Sequence, residues 1–171
     1  MDFSLTDEQQ MIIATLKAFV EQELYPHEAE VEKTNTIRPE IYADIKQKAL
    51  ELGLYAANMP EEHGGAGLDS LTLCLMEREL GRANFGLQYI VGRPSNLLLA
   101  CKDEQIENYL PASIRGDKVD CLALTEPNAG SDVRSMQCRA ERDGDDFIIN
   151  GTKHFISHAD VADFVILFAA S

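Results

Sequence analysis

The hydrophobic pattern of this chain changes at Gly116-Asp117, and that change limits the folds open to it. Up to residue 118, apolar residues recur every three or four positions, which is typical of amphipathic helices. From residue 119 they form short runs separated by turn signals, which indicates β-strands. The sequence therefore predicts an α+β chain: an N-terminal all-helical bundle domain over residues 1–118, followed by a partial antiparallel β domain over residues 119–171.

The predicted helices have recognisable starts and stops. Thr6 begins the first helix with a capping box completed by Gln9, and Pro26 is expected to end it just after Leu24. The second predicted helix begins at Pro39 and ends at Gly53, and proline and glycine are typical of those two positions. The other predicted helices run from about Asp69 to Gly81, from about Leu87 to Ala100, and from Asp103 to Leu110, with Pro111 closing the last.

Roughly five short strands are expected in the second part of the chain. They are too few to close a barrel, so we expect an antiparallel meander with exposed edges. Its strands are residues 119–124, Met136–Glu141 and Phe147–Ile149 on either side of the turn Asp143-Gly144-Asp145, Thr152–Ile156 after an Asn150-Gly151 hairpin turn, and Phe164–Ala169.

Composition excludes several classes of protein. The net charge of −14 argues against nucleic acid and anionic membrane surfaces as partners. There is no signal region or apolar run of transmembrane length, so we expect a soluble, cytoplasmic protein. His154 and His158 stand four apart in a β-like stretch, where that spacing does not indicate a metal site. The cysteines lie far apart and include no C-x-x-C pair, so we expect buried free thiols in a reducing compartment: Cys74, Cys101, Cys121 and Cys138.

The loop Leu124–Asp132 carries the densest set of polar groups. Pro127 fixes its own φ and disfavours the α region for the residue before it, while Gly130 can take a positive φ. Thr125 and Ser131 place hydroxyl donors at the two ends of the loop. Such a turn can form an anion site from its backbone N–H groups, or it can be an ordinary loop whose hydroxyls cap its own backbone. The residues alone favour the ordinary loop.

Three segments, in this order, resemble the acyl-CoA dehydrogenase family. Pro60–Leu68 is similar to its Pro-Glu-Glu-x-Gly-Gly-x-Gly turn, and Leu124–Asp132 to its flavin-binding signature Thr-Glu-Pro-x-Ala-Gly-Ser-Asp. Ile149–Ser157 resembles its Asn-Gly-x-Lys-x-Trp-Ile-Thr segment. Family members are far longer, with a helical N-terminal, a β middle and a helical C-terminal domain. The resemblance therefore implies a chain that stops inside the β domain, without the usual catalytic glutamate of the C-terminal part.

The resemblance also implies an FAD site in the signature loop. The main chain of Leu122, Ala123 and Leu124 and the hydroxyl of Thr125 would face the flavin ring. Gly130 belongs to the same signature, and Ser131 would lie at the pyrophosphate and near the acyl-CoA. Glu126 is a tempting catalytic base, but a glutamate before proline in a tight loop more often orders the loop.

The second element implied for FAD is Phe155, Ile156 and Ser157. Alternation on a strand would put Phe155 and Ser157 on one face, against the isoalloxazine ring, with Ile156 opposite. The alternative is core packing for Phe155 and a solvated hydroxyl for Ser157. His158 stands where the family often has asparagine, and the sequence offers no physical reason for it.

The resemblance implies FAD-dependent α,β-dehydrogenation of acyl-CoA thioesters in fatty acid metabolism. Its expected partners are an acyl-CoA substrate and an electron-transferring flavoprotein, and its expected assembly is a homotetramer or homodimer. The 171 residues alone are expected to be inactive. Two alternatives stay open: a non-catalytic flavin-binding or assembly fragment, and a flavin oxidase relative of the acyl-CoA oxidase or nitroalkane oxidase type.

Overall fold

The computed structural model describes residues 4–92 and 94–171, and the chain divides into two compact units, Met1–Gly116 and Asp117–Ser171. The first unit is helical and the second contains the β-strands. The predicted fold class, a helical domain followed by a small β part, is confirmed. Residues 1–3 and Arg93, which belong to the predicted helical domain, lie outside the described residues.

The helical unit is built around one apolar core. Its most deeply buried side chains include Leu16, Leu24, Ile45 and Leu87, which come from different elements of the unit. The helices are α1 (Asp7–Phe19), a π-helical segment (Val20–Leu24), α2 (Tyr25–Thr34), α3 (Pro39–Glu51), α4 (Ser70–Leu80), α5 (Phe85–Ile90) and α6 (Glu104–Ile114), with 3₁₀ turns at Glu61–His63 and Asn96–Ala100.

The capping box of Thr6 and Gln9 is confirmed, but two prolines do not end helices as expected. Pro26 follows directly on the π-helical segment, in which the N–H of Tyr25 donates to the carbonyl of Val20, and the chain stays helical from α1 through α2. Pro111 lies inside α6, which continues to Ile114 because its last turn is buried. The predicted helix over 87–100 is also wrong: α5 ends at Ile90, and a 3₁₀ turn follows later.

The glycines between α3 and α4 are required by backbone geometry. Gly64 has φ +91° and Gly67 has φ +60°, values that side chains rarely adopt. Gly65 does not have a positive φ, but a β-carbon there would overlap the main chain of Met59. The N–H of Gly67 donates to the carbonyl of Met59 at 2.8 Å, so this turn folds back on itself.

The β unit contains β1 (Asp120–Ala123), β2 (Arg139–Asp143), β3 (Asp146–Asn150) and β4 (Phe164–Leu167). β2 and β3 form the predicted antiparallel hairpin, with Gly144 at φ +64° in its turn. β1 and β4, however, pair in parallel, from Asp120 opposite Phe164 to Ala123 opposite Leu167. The meander is therefore wrong for this pair, because the long connection that holds the hairpin lets the chain cross over.

Two further strand predictions fail between β3 and β4. Residues 152–156 do not form a strand, and Asn150-Gly151 is not a hairpin turn. Gly151 has φ +154°, and a β-carbon there would lie 2.6 Å from Cα of Cys138, so this glycine allows a close approach of two chain segments. The left-handed backbone of Phe155, at φ +56°, interrupts strand alternation. Phe155 and Ser157 therefore do not share a strand face.

None of the helices in residues 4–92 and 94–171 combines the length and apolar character that crossing a membrane requires.

We expect Gly65→Ala to destabilise the helical unit more than Gly53→Ala. Gly53 has a positive φ but no atom within 4 Å of its added β-carbon, so its substitution carries only the backbone cost of about 1 kcal/mol. Gly65→Ala forces a main-chain clash and should cost more than about 2 kcal/mol. Urea unfolding followed by helical circular dichroism measures both, and equal losses would contradict the steric account.

Candidate functional site

A tight turn gives the Leu124–Asp132 loop its shape. The N–H of Glu126 donates to the carbonyl of Ala129 at 2.9 Å, and the N–H of Ala129 donates back at 3.2 Å. Pro127 and Asn128 form the tip. Gly130 does not use a positive φ, and a side chain there would meet nothing within 4 Å. The chain's own packing therefore does not require glycine at this position, and the space beside it is open.

The Glu126 carboxylate is a buried acceptor for three donors. It accepts the main-chain N–H of Gln137 at 2.6 Å and of Cys138 at 2.9 Å, and the ammonium of Lys153 at 2.9 Å. The exposed fractions of the paired side chains are 9% for Lys153 and 4% for Glu126. The hydrogen bond from Lys153, then that from the Gln137 amide, lowers the pKa of Glu126 to about 2. The loop-ordering interpretation of Glu126 is confirmed.

Lys153 and His154 join the segment after β3 to the signature loop. Besides Glu126, the Lys153 ammonium donates to the carbonyl of Leu124 at 2.9 Å. The N–H of His154 donates to the carbonyl of Thr125 at 2.8 Å. Three consecutive residues of the loop are thus held by two consecutive residues of the other motif. Sequence reasoning missed Lys153: the available signal was a pair of opposite charges in two motifs, but their separation has no local periodicity.

The segment after Lys153 holds two residues in left-handed backbone conformations. Phe155 has φ +56°, its side chain is 82% exposed, and its ring stacks on that of His154 with centroids 3.7 Å apart. His158 has φ +61°, and its carbonyl accepts the N–H groups of Val161 and Ala162. Asn and His are both enriched at positive φ, which explains why His158 can stand where the family often has asparagine.

The predicted site residues are brought together only in part. Leu122 and Ala123 lie in β1, and Leu124 and Thr125 follow at its end, next to the segment that leads to Phe155. Thr125 is half-buried, whereas Ser131 and Ser157 are exposed. Within the described residues no hydrogen bond joins either serine to Thr125. Ile156 is half-buried beside the exposed Phe155.

Two of the four cysteines are less buried than expected. Cys121 and Cys138 are buried, Cys101 is half-buried, and Cys74 is exposed, and all four are free thiols. Burial raises the pKa of the Cys121 and Cys101 thiols, which disfavours the reactive thiolate. Across residues 4–92 and 94–171, no three His, Cys, Asp or Glu side chains form a group that could hold a metal ion.

The helical unit contains a separate cavity of about 110 Å³. Most of its lining is apolar, and Glu77, Gln88 and Tyr89 add polar groups. A small apolar group with one polar end fits such a lining. The other lining residues are Leu54, Leu73, Met76, Leu80, Phe85, Val91 and Gly92.

We expect Glu126 to make the β unit sensitive to acid. Its folded pKa, about 2, lies below the ordinary value of 4.5, so its stabilisation is complete above pH 4.5 and is lost as the pH falls towards 2. The stability difference between the wild type and Glu126→Gln should therefore shrink over this interval. Amide hydrogen exchange in residues 117–171 measures it, with exposed Glu141→Gln as the matched control. Parallel pH profiles for wild type and Glu126→Gln would contradict the assignment.

Comparison with known proteins places both units in one family. Residues 6–117 match the acyl-CoA dehydrogenase N-terminal domain, and residues 121–171 match the acyl-CoA dehydrogenase middle domain. The chain is 37% identical over 169 residues to 3-(aryl)acrylate reductase of Clostridium sporogenes, covering 96% of this chain and 44% of that protein. It is 36% identical over 176 residues to the probable acyl-CoA dehydrogenase YngJ of Bacillus subtilis, covering 100% and 45%.

A solved structure gives the same result. Glutaryl-CoA dehydrogenase from Mycobacterium smegmatis in complex with FADH2 superposes with a TM-score of 0.83 at 30% identity, covering 96% of this chain and 43% of that one. The chain thus spans less than half the length of these relatives. With both units matched in order, this chain belongs to the acyl-CoA dehydrogenase family.

Proposed function

We propose that this chain supplies a helical substrate domain and a flavin-contacting segment for FAD-dependent α,β-dehydrogenation of acyl-CoA thioesters. One observation carries the proposal: the N–H of His154 donates to the carbonyl of Thr125 at 2.8 Å. This hydrogen bond joins the two sequence elements that the family resemblance assigns to the flavin, within one compact unit. Neither element would form a site alone.

The residues of these elements fit an FAD molecule. Open space lies beside Gly130, and the ring of Phe155 is 82% exposed. The left-handed backbone of Phe155 costs about 1–3 kcal/mol, and no burial of its ring offsets that cost. Such strain persists where the surrounding structure enforces it, and it is concentrated at functional sites. The isoalloxazine ring would be held by the main chain of Leu122, Ala123 and Leu124, the hydroxyls of Thr125 and Ser157, and the side chains of Phe155 and Ile156, with Gly130 and Ser131 at the pyrophosphate.

The chain's own groups have limited chemical roles in this reaction. Bound FAD supplies a hydride acceptor, and the protein supplies orientation and water exclusion. The Thr125 hydroxyl would orient the ring, and the Phe155 ring would shield it from water. Glu126 is unsuited to remove the substrate's α-proton, because its oxygens already accept three hydrogen bonds and its pKa is about 2.

The substrate side of the proposal concerns the helical unit. Its cavity of about 110 Å³ is our candidate for the acyl group, since its lining is mainly apolar. Ser131 would contact the acyl-CoA as well as the flavin. We further propose an electron-transferring flavoprotein as electron acceptor, a homotetrameric or homodimeric assembly, and a cytoplasmic role in fatty acid metabolism.

A second direction of the same chemistry has support from one relative. The Clostridium sporogenes protein, 37% identical to this chain, is named 3-(aryl)acrylate reductase. Reduction of a conjugated carbon–carbon double bond reverses dehydrogenation and uses the same arrangement of flavin and substrate. A saturated acyl compound is added to the protein with oxidised FAD, and an α,β-unsaturated one is added anaerobically to the protein with chemically reduced FAD. Loss of the oxidised-flavin absorption in the first mixture reports dehydrogenation, and its return in the second reports reduction.

We expect the chain to bind FAD and Thr125→Val to weaken binding by up to about tenfold, since one hydroxyl hydrogen bond contributes roughly 0.5–1.5 kcal/mol. Ser131→Ala should weaken binding of FAD, acyl-CoA or both. Titration with FAD, followed by the flavin absorption and fluorescence spectra, measures the affinity.

Thr152→Val is the matched control, because Thr152 is an exposed threonine of the same unit. A wild-type chain that leaves the flavin spectrum unchanged would contradict the proposed function. Equal affinities of wild type and Thr125→Val would remove the role of Thr125 alone.

A further inference from the structure

We propose that Lys153 is a positioning residue for the flavin-contacting strand end: together with Glu126 it fixes Thr125 in place and thereby sets the affinity for FAD. This inference rests on the proposed function, because it concerns how that site is held. Lys153 itself is not placed against the flavin. Its role would be exerted through the main chain of the residues on either side of Thr125.

The contacts of Lys153 surround Thr125. Its ammonium donates to the carbonyl of Leu124 at 2.9 Å and to the carboxylate of Glu126 at 2.9 Å. The residue between them, Thr125, is held by the N–H of His154 at 2.8 Å. One side chain and one amide thus fix three successive residues. A fixed backbone limits the Thr125 hydroxyl to a few staggered positions, because the side chain has a single rotatable bond before its oxygen.

Glu126 connects the signature loop to the segment before β2 without Lys153. Its carboxylate already accepts the N–H groups of Gln137 and Cys138, at 2.6 and 2.9 Å. The distinct contribution of Lys153 is therefore the bond to Leu124, at the end of β1. This contact links the strand end to the segment that carries Phe155, which is the geometry an FAD site in these two elements requires.

Because the ion pair is buried, a positioning role of Lys153 can be distinguished experimentally from a purely stabilising one. The exposed fractions are 9% for Lys153 and 4% for Glu126, so removing one partner leaves an uncompensated buried charge. Removing both charges relieves the uncompensated charge, but the glutamine of Glu126→Gln offers one acceptor oxygen to the N–H groups of Gln137 and Cys138 where the carboxylate offers two. Removing both charges cannot restore a donor to the Leu124 carbonyl. A double variant should therefore recover part of the lost stability without recovering the geometry around Thr125.

The test compares Lys153→Met and the double variant Glu126→Gln/Lys153→Met with wild type. Exposed Lys102→Met and Glu141→Gln are matched controls. Three quantities are measured: unfolding stability of residues 117–171, hydrogen exchange of the His154 amide, and FAD affinity by titration. Exchange at His154 reports the bond to Thr125 without any flavin present.

We expect Lys153→Met to weaken FAD binding by up to about tenfold, and to increase the His154 exchange rate by more than the loss of unfolding stability accounts for. The double variant should regain part of the lost stability but keep fast exchange and weak binding. Recovery of all three quantities in the double variant would overturn the proposal, as would wild-type exchange and affinity in Lys153→Met. If wild type binds no FAD, the proposed function fails, and the exchange data alone decide whether Lys153 holds Thr125.

Discussion

The buried Glu126 carboxylate, with the three donors that it accepts, is the constraint on which the β unit depends. The unit has few large apolar side chains of its own in the core, and its described buried residues are mainly small, such as Ala123, Ala129 and Cys138. Charge-assisted hydrogen bonds therefore have to specify the arrangement that apolar packing would otherwise supply. The carboxylate and the ammonium connect three segments by hydrogen bonds: the end of β1 at Leu124, the segment before β2 at Gln137 and Cys138, and the segment after β3 at Lys153.

Local signals in the sequence predicted the helical character of the first unit but only some of its helix boundaries. The capping box at Thr6 and the end of α3 just before Gly53 depend on neighbouring residues, and both are found as expected. Pro26 and Pro111 were misjudged because a proline ends a helix only where its missing N–H and its ring cannot be accommodated. Pro26 is accommodated directly after the π-helical segment, and α6 is held by the burial of its last turn.

The β unit was harder to predict, because its decisive contacts are remote in sequence. The parallel pairing of β1 with β4, the close approach of Gly151 to Cys138 and the ion pair of Lys153 have no periodic signature. The candidate site shows the same division. Its residues were identified from motifs, but the strand geometry expected for Phe155 was wrong. Phe155 has a left-handed backbone conformation instead of an extended one, and its ring is exposed.

The central claim is that two separate motifs form one flavin site. Amide resonances of the chain, recorded as FAD is added, test it most directly. We expect the shifts to concentrate at residues 122–125, at Gly130 and Ser131, and at residues 155–157, in a single saturable transition. Shifts confined to one motif, or distributed over residues of the helical unit alone, would contradict the account.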